Sequence, residues 1–189
     1  MKKLVGGDIS RRALLGVFAA TTVTAAPVYS KTFGILKGAG DIRKISMRSG
    51  RTGETLEMIY WIEGDYIKDA MKEINYFMRD WREDLAVNMD RRNFDIVAAT
   101  HSLLETTEPY QLLSGYRSPR TNALLRRRSR GVAKKSLHIK GMAADIRLNT
   151  RSVSQIARAG YATNAGGIGK YSRSNFVHLD SGARRTWGS

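Results

Sequence analysis

The apolar residues of this chain change period more than once, and no other feature of the sequence constrains the fold as tightly. Ile42–Arg48 and Thr55–Trp61 read as two strands, and Ser49-Gly50-Arg51-Thr52-Gly53-Glu54 between them supplies turn chemistry, which predicts a hairpin. From Tyr66 the spacing becomes helical. Ile67, Ala70, Met71, Ile74, Phe77, Met78 and Trp81 form one apolar stripe, with Lys68, Asp69, Lys72, Glu73 and Arg79 between them. A second helix is predicted from Arg92 to Glu105, burying Phe94, Ile96, Val97, Leu103 and Leu104. Gln111-Leu112-Leu113 reads as a short strand running into Ser114-Gly115-Tyr116-Arg117. Ser118-Pro119 then starts a helix that ends near Gly131, with a hydroxyl at the N-cap and proline at the first helical position. Met142–Leu148 reads as a strand, Ser152–Ala159 as a short helix terminated by Gly160, and Gly166-Gly167-Ile168-Gly169 as a tight, backbone-exposing segment. Phe176–Asp180 reads as a final strand. Short strands mixed with helices, without strict βαβ alternation or internal repeat, predict an α+β fold.

At 189 residues the chain is long enough for one domain with a proper core. It has no cysteine, which excludes disulfides, thiolate-bound zinc, a thiol nucleophile and a lipid-anchored cysteine. The first thirty residues read as an address rather than as fold. Lys2 and Lys3 precede Ser10-Arg11-Arg12-Ala13-Leu14-Leu15 and a mildly apolar run from Ala13 to Ala26. That run is too short to span a bilayer, and the pattern resembles a twin-arginine export signal, with cleavage expected after Val28-Tyr29-Ser30. Residues 31–41 are Gly-rich and read as a linker, so the folded domain is expected over 42–189, periplasmic and monomeric. The formal charge is +15, and residues 1–30 hold four basic residues and one acidic residue, so the remainder carries +12. A strongly basic domain suits nucleic acid or an anionic wall polymer. The export signal favours the wall. The run Arg126-Arg127-Arg128-Ser129-Arg130 has no interleaved aromatics for base stacking, so no nucleic acid is expected.

Two of the three histidines fall in two short strings, Ser136-Leu137-His138-Ile139-Lys140-Gly141-Met142-Ala143-Ala144-Asp145 and Asn175-Phe176-Val177-His178-Leu179-Asp180. Two imidazoles and one carboxylate are what a catalytic zinc site takes from a protein, with a fourth position left for water. On a strand, residues two apart share a face, so His178 and Asp180 are expected to point the same way. Asp180 would then stand beside the open position as a general base. A zinc ion lowers the pKa of water from 15.7 to about 7. Arg117 is in place in the sequence to be the cation that stabilises charge on the reacting carbonyl. Spacing by itself leaves the alternative open that these are hydrogen-bonded structural residues. His101, without an acidic or histidine partner at ligand spacing, reads as structural.

Three ordered strings narrow the choice. They are Ser114-Gly115-Tyr116-Arg117-Ser118-Pro119 with Thr121-Asn122 and Gly131-Val132-Ala133, then Ser136 through Asp145, then Phe176-Val177-His178-Leu179-Asp180-Ser181-Gly182 with Arg185-Thr186-Trp187. Their order resembles the peptidase M15 superfamily of zinc peptidases, in particular its exported, murein endopeptidase K-like branch. Tyr60-Trp61, Gly64-Asp65-Tyr66 and Arg79-Asp80-Trp81-Arg82 match that branch too, so the likeness covers Ile45 to Trp187. The resemblance implies the fold of the D-Ala-D-Ala carboxypeptidases and the Hedgehog signalling domain, a small antiparallel sheet flanked by helices. It implies one zinc on His138, Asp145 and His178, and Arg117 on the substrate carbonyl or carboxylate. Tyr116 and Ser136 would contact substrate. The substrate would be the peptide crosslinks of peptidoglycan, diaminopimelate bridges among them, and a silent peptidoglycan-binding module of the same fold is the alternative. In one respect the chain departs from the pattern: many relatives carry Glu three residues before the second His, where this chain has Asn175, so the base role passes to Asp180. Ala159–Ala165 is also atypical and bears on the cleft wall.

Overall fold

The computed structural model describes residues 40–129 and 131–188. The expected export signal, nearly all of the linker and Arg130 lie outside these residues. Eight strands form one sheet: β1 (Ile42–Ser49), β2 (Thr55–Ile62), β3 (Asp65–Tyr66), β4 (Tyr110–Ser114), β5 (Ala143–Arg147), β6 (Gly167–Tyr171), β7 (Phe176–Asp180) and β8 (Arg185–Gly188). Their order across the sheet is β3-β2-β1-β4-β5-β7-β6-β8. The helices are α1 (Lys68–Phe77), α2 (Arg91–Leu103), α3 (Pro119–Arg128) and α4 (Val153–Ala162), with a 3-10 turn at Leu137–Lys140. The α+β class holds, but the sheet is mixed rather than antiparallel: β4 runs parallel to β1, and β8 runs parallel to β6. The first parallel pair arises because α1 and α2 intervene between β1 and β4, and a crossover of that length can return the chain in the same direction.

The strand alternation assigns the two faces. Ala144 and Ile146 on β5 and Val177 and Leu179 on β7 are fully buried, and they pair across the strands as Ala144–Leu179 and Ile146–Val177. They join a core with Phe94, Ile96 and Val97 of α2 and Ile156 of α4, and both helices contact β7. Asn93 of α2 adds a hydrogen bond, its Nδ2–H donating to the Leu179 carbonyl at 3.0 Å. By alternation, Asp145 and His178 occupy the opposite face.

The expected helix caps are present. The Ser118 side chain accepts from the Thr121 N–H, with Pro119 at the first position, and Ser152 forms a capping box with Gln155. Three expectations are corrected. The apolar stripe continues to Trp81, but α1 stops at Phe77 and Trp81 is exposed. The chain leaves the helix there because the Met78 carbonyl accepts the Tyr116 N–H at 2.8 Å and Asp80 accepts the Ser118 N–H at 2.9 Å. Gly160 lies inside α4 rather than at its end; a Cβ there would come within 3.0 Å of Leu179, so glycine lets α4 settle onto β7. Gly166–Gly169, expected as a tight, backbone-exposing segment, is largely the strand β6.

Candidate metal centre

The site assembles along one row of the sheet. Ser114, Asp145, His178, Gly169 and Trp187 are successive register partners across β4, β5, β7, β6 and β8. His138 reaches the row from the 3-10 turn that precedes β5, and Gly141 ends that turn in the left-handed conformation, with φ 65°. His138 Nε2 lies 3.1 Å from Asp145 Oδ1 and 3.2 Å from His178 Nδ1, and the third side of the triangle, His178 Nδ1 to Asp145 Oδ1, is 2.8 Å. A tetrahedral ion with bonds of about 2.0–2.1 Å has ligand separations of roughly 3.3 Å. The triangle is therefore close to the size that one zinc ion needs.

The outer partners of the imidazoles decide which nitrogens are free to bind. His138 Nδ1 faces the Gly115 carbonyl at 2.6 Å, and a carbonyl only accepts, so Nδ1 carries the proton and the neutral ring has its lone pair on Nε2. His178 Nε2 faces the Asp180 carboxylate at 3.0 Å, which places the lone pair of the neutral ring on Nδ1. Asp145 Oδ1 is an acceptor. With both rings neutral, three lone pairs converge on one point, an arrangement that a bound cation satisfies, or in its absence a proton on His178. No other group of three ligand-type residues stands this close together among the described residues.

Without a metal, the electrostatics favour a proton at this point, which a metal ion would displace. Burial pushes the His138 imidazole below its usual value, although Asp145 opposes the shift. Burial also opposes charge on His178, but Asp145 and Asp180 on either side outweigh it and push the ring up to about 9. Burial alone would raise the Asp145 carboxyl, yet the two histidines and Arg117 hold it well below the usual carboxylate range. Arg117 donates from Nη2 to Asp145 Oδ2 and from Nε to the Ser114 hydroxyl at 2.7 Å. Its guanidinium is therefore fixed beside the candidate ligand atoms.

Asp180 is fully buried. Besides the His178 N–H it accepts from Arg185 through both nitrogens at 3.0 and 2.7 Å, from the Gly182 N–H at 2.9 Å and from the Gly167 N–H at 3.2 Å. Burial alone would raise its carboxyl, but His178 and Arg185 hold it at about 2. It stands behind the Nε2 edge of His178, whereas the lone pair of that ring leaves from Nδ1. Asp180 thus faces the His178 ring from the side opposite Nδ1, a position from which a carboxylate can orient the ring.

Residues without an expected role complete the support. Arg185 is the register partner of Gly167, which in turn pairs with Asp180, and Trp187 is the partner of Gly169, which pairs with His178. A Cβ on Gly167 would lie 2.4 Å from Arg185 Nη1, and one on Gly169 would lie 2.6 Å from the Trp187 ring. The two glycines, spaced two apart on β6, open lanes across which Arg185 reaches Asp180 and the Trp187 ring approaches His178 to 5.3 Å between centroids. That spacing was the available signal for a strand at this place. Asn175 lies in the exposed β6–β7 turn with φ 53°, a conformation that asparagine tolerates well, so this position serves the turn. Tyr116 is buried next to Arg117, and the Ser136 carbonyl accepts the Ile139 N–H of the 3-10 turn; among the described residues neither side chain bonds to the three ligand residues. His101 Nε2 lies 2.7 Å from the Glu108 carbonyl, a structural contact as expected.

Comparison with known proteins agrees with the geometry. Residues 37–187 match the family described as peptidoglycan L,D-endopeptidase MepK, within the M15 peptidases. The chain is 39% identical over 180 residues to the peptidoglycan L,D-endopeptidase MepK of Escherichia coli (strain K12), covering 95% of this chain and 98% of the relative. The protein of that name from Shigella flexneri gives the same figures. A Haemophilus influenzae protein named "probable peptidoglycan L,D-endopeptidase MepK" is 37% identical over 147 residues, covering 77% of this chain and 78% of the relative. With three candidate ligand residues on adjoining elements of an α+β fold, the chain belongs to the MepK family of the M15 peptidases.

Proposed function

We propose that this protein is a zinc-dependent murein endopeptidase that hydrolyses amide bonds in the peptide crosslinks of peptidoglycan. The observation that carries the reading is the convergence of three lone pairs, from His138, Asp145 and His178, in a triangle of about zinc's dimensions. The L,D designation of the relatives fits bridges between two diaminopimelate residues, which join an L centre to a D centre.

Zinc held by these residues would supply Lewis acidity and an acidified water. The protein's own groups do the rest. Gly115 and Asp180 hold the two imidazoles in their ligating tautomers. Arg117, anchored by Asp145 and Ser114, presents a fixed positive charge to the oxygen of the scissile carbonyl. Tyr116 and Ser136 contact the peptide. The proton-acceptor task expected of Asp180 stands as the competing assignment to its orienting task.

Residues 1–30 support export by the twin-arginine route and action in the periplasm. No helix among the described residues is long and apolar enough to cross a membrane. Arg126, Arg127 and Arg128 are exposed at the end of α3 and, with the exposed Lys134 and Lys135, offer a basic face to an anionic polymer.

The test is digestion of purified, delipidated sacculi by the zinc-loaded protein. Wild type should release crosslink-cleavage products, whose masses identify the bond. Chelator and His178→Ala should abolish them. An unchanged muropeptide profile with zinc-loaded wild type would overturn the reading and leave a binding module of the same fold.

A further inference from the structure

A second cluster of charge lies beside the metal centre and takes no part in it. Arg51, on the β1–β2 turn, and Trp81 line a cleft whose floor includes Ser114 and Gly115. These two residues also bond Arg117 and His138, so the cleft borders the residues that support the candidate ligand set. The Arg82 guanidinium stacks 4.2 Å from the Trp81 ring centroid, and that of Arg51 lies 5.9 Å away. Trp81 is 37% exposed although it is large and apolar.

The charges around this ring are not matched by acids. Among the described residues neither Arg51 nor Arg82 forms an ion pair, whereas nearby Arg79 is paired with both Glu54 and Asp84. Asp80, next to Trp81 in the chain, is buried and committed to the backbone N–H groups of Ser118 and Arg82. Arg82 is held below the usual arginine value first by partial burial, against the pull of Asp80, and then by repulsion from Arg51, Arg117 and Arg128. Guanidinium groups gathered on an exposed aromatic ring, next to a hydrolytic centre, form a receptor for a carboxylate carried on a short aliphatic stem.

We propose that Arg51, Trp81 and Arg82 form a subsite that takes a carboxylate of the crosslinked peptide flanking the scissile amide. The inference rests on the reading that the metal centre cuts peptidoglycan peptides. The two arginines bind the carboxylate, and the Trp81 ring packs against the methylenes that carry it. The subsite selects carboxylate-bearing crosslinks over those in which the same group is a carboxamide, and it registers the amide beneath Arg117.

The test uses two synthetic crosslinked peptide dimers that share the scissile amide, one with free carboxylates and one with carboxamides in their place. Both are offered to the zinc-loaded wild type and to the Arg51→Gln/Arg82→Gln double variant, with kcat and KM measured separately. Wild type should show a KM about tenfold higher for the carboxamide form, the size of one good charge-assisted contact. The double variant should show equal KM for both forms, with the main loss in KM. A double variant that discriminates as wild type does, or that loses kcat equally on both peptides, overturns the subsite. If wild type cleaves neither peptide, the endopeptidase reading fails separately. Calorimetric binding of the same two dimers then decides the subsite: a carboxylate preference in wild type that is absent from the double variant supports it, and equal binding of the two dimers by wild type overturns it.

Discussion

Replacing Asp180 with Asn separates an orienting carboxylate from a proton acceptor. The side chain is fully buried and accepts from His178 Nε2 at 3.0 Å, from Arg185 twice and from two backbone N–H groups. Asparagine keeps the shape and one acceptor oxygen but removes the charge. Hydrogen bonds to charged groups contribute about 1.5–3 kcal/mol and neutral ones about 1 kcal/mol, so the hold on His178 should weaken by about 1–2 kcal/mol. Expressed at Nδ1, that loss lowers zinc affinity by roughly 5- to 30-fold, which overlaps the 10–100-fold typical of groups that orient metal ligands. Competition against a chromophoric chelator at neutral pH measures it directly, with kcat on a crosslinked peptide measured in parallel. Arg185→Gln should move zinc affinity in the same direction by less, because Arg185 is half-exposed and only supports the carboxylate. Zinc affinity within about twofold of wild type, together with a fall in kcat of about 1,000-fold, would refute the orienting role and give Asp180 the general-base role. Acid titration adds a second reading. The Asp180 carboxyl lies at about 2 instead of its usual 3.8, so its stabilising contribution is present above 3.8 and is lost as pH falls through about 2. The variant should lack that segment of the acid-unfolding curve.

Further outcomes follow from the same geometry. In the metal-free protein His178 is pushed up to about 9, so zinc binding at pH 7 should release about one proton, and affinity should climb with pH until about 9. Calorimetry in buffers of different ionisation heat checks this, and a pH-independent affinity would contradict it. Because that value lies above 6.5, the ion pairs of His178 stabilise the metal-free fold fully below pH 6.5 and lose their effect as pH rises through about 9. Gly169→Ala places a Cβ 2.6 Å from the Trp187 ring and should cost about 1–3 kcal/mol in urea unfolding, with a loss of zinc affinity as Trp187 leaves His178. Asp80→Ala leaves the buried Ser118 N–H without its acceptor and should cost about 1–3 kcal/mol in the same assay; an unchanged midpoint would count against Asp80 as the tie between the α1 exit and α3.

The sequence by itself determined the α+β class, the two strands of the first hairpin and both capped helix starts, and it singled out His138, Asp145 and His178, which the fold brings together. These are local matters. Apolar period, cap chemistry and the side-chain inventory of a zinc site are all written within a few residues of one another. Pairing between distant strands is not local, and there the sequence was silent. β8 has four residues and no period to read, β6 is masked by its glycines, and only the sheet brings Gly167 against Arg185 and Gly169 against Trp187. The same limit explains Trp81, whose helical spacing suggested core although Met78 and Asp80 bind across the fold and turn the chain outward before it. The place of Asp180 relative to the His178 ring belongs to this second class too. Two-residue spacing placed it on the same strand as His178, but which nitrogen it faces depends on the ring's orientation, and that is decided by Asp145 on β5 and by Arg185 reaching across β6.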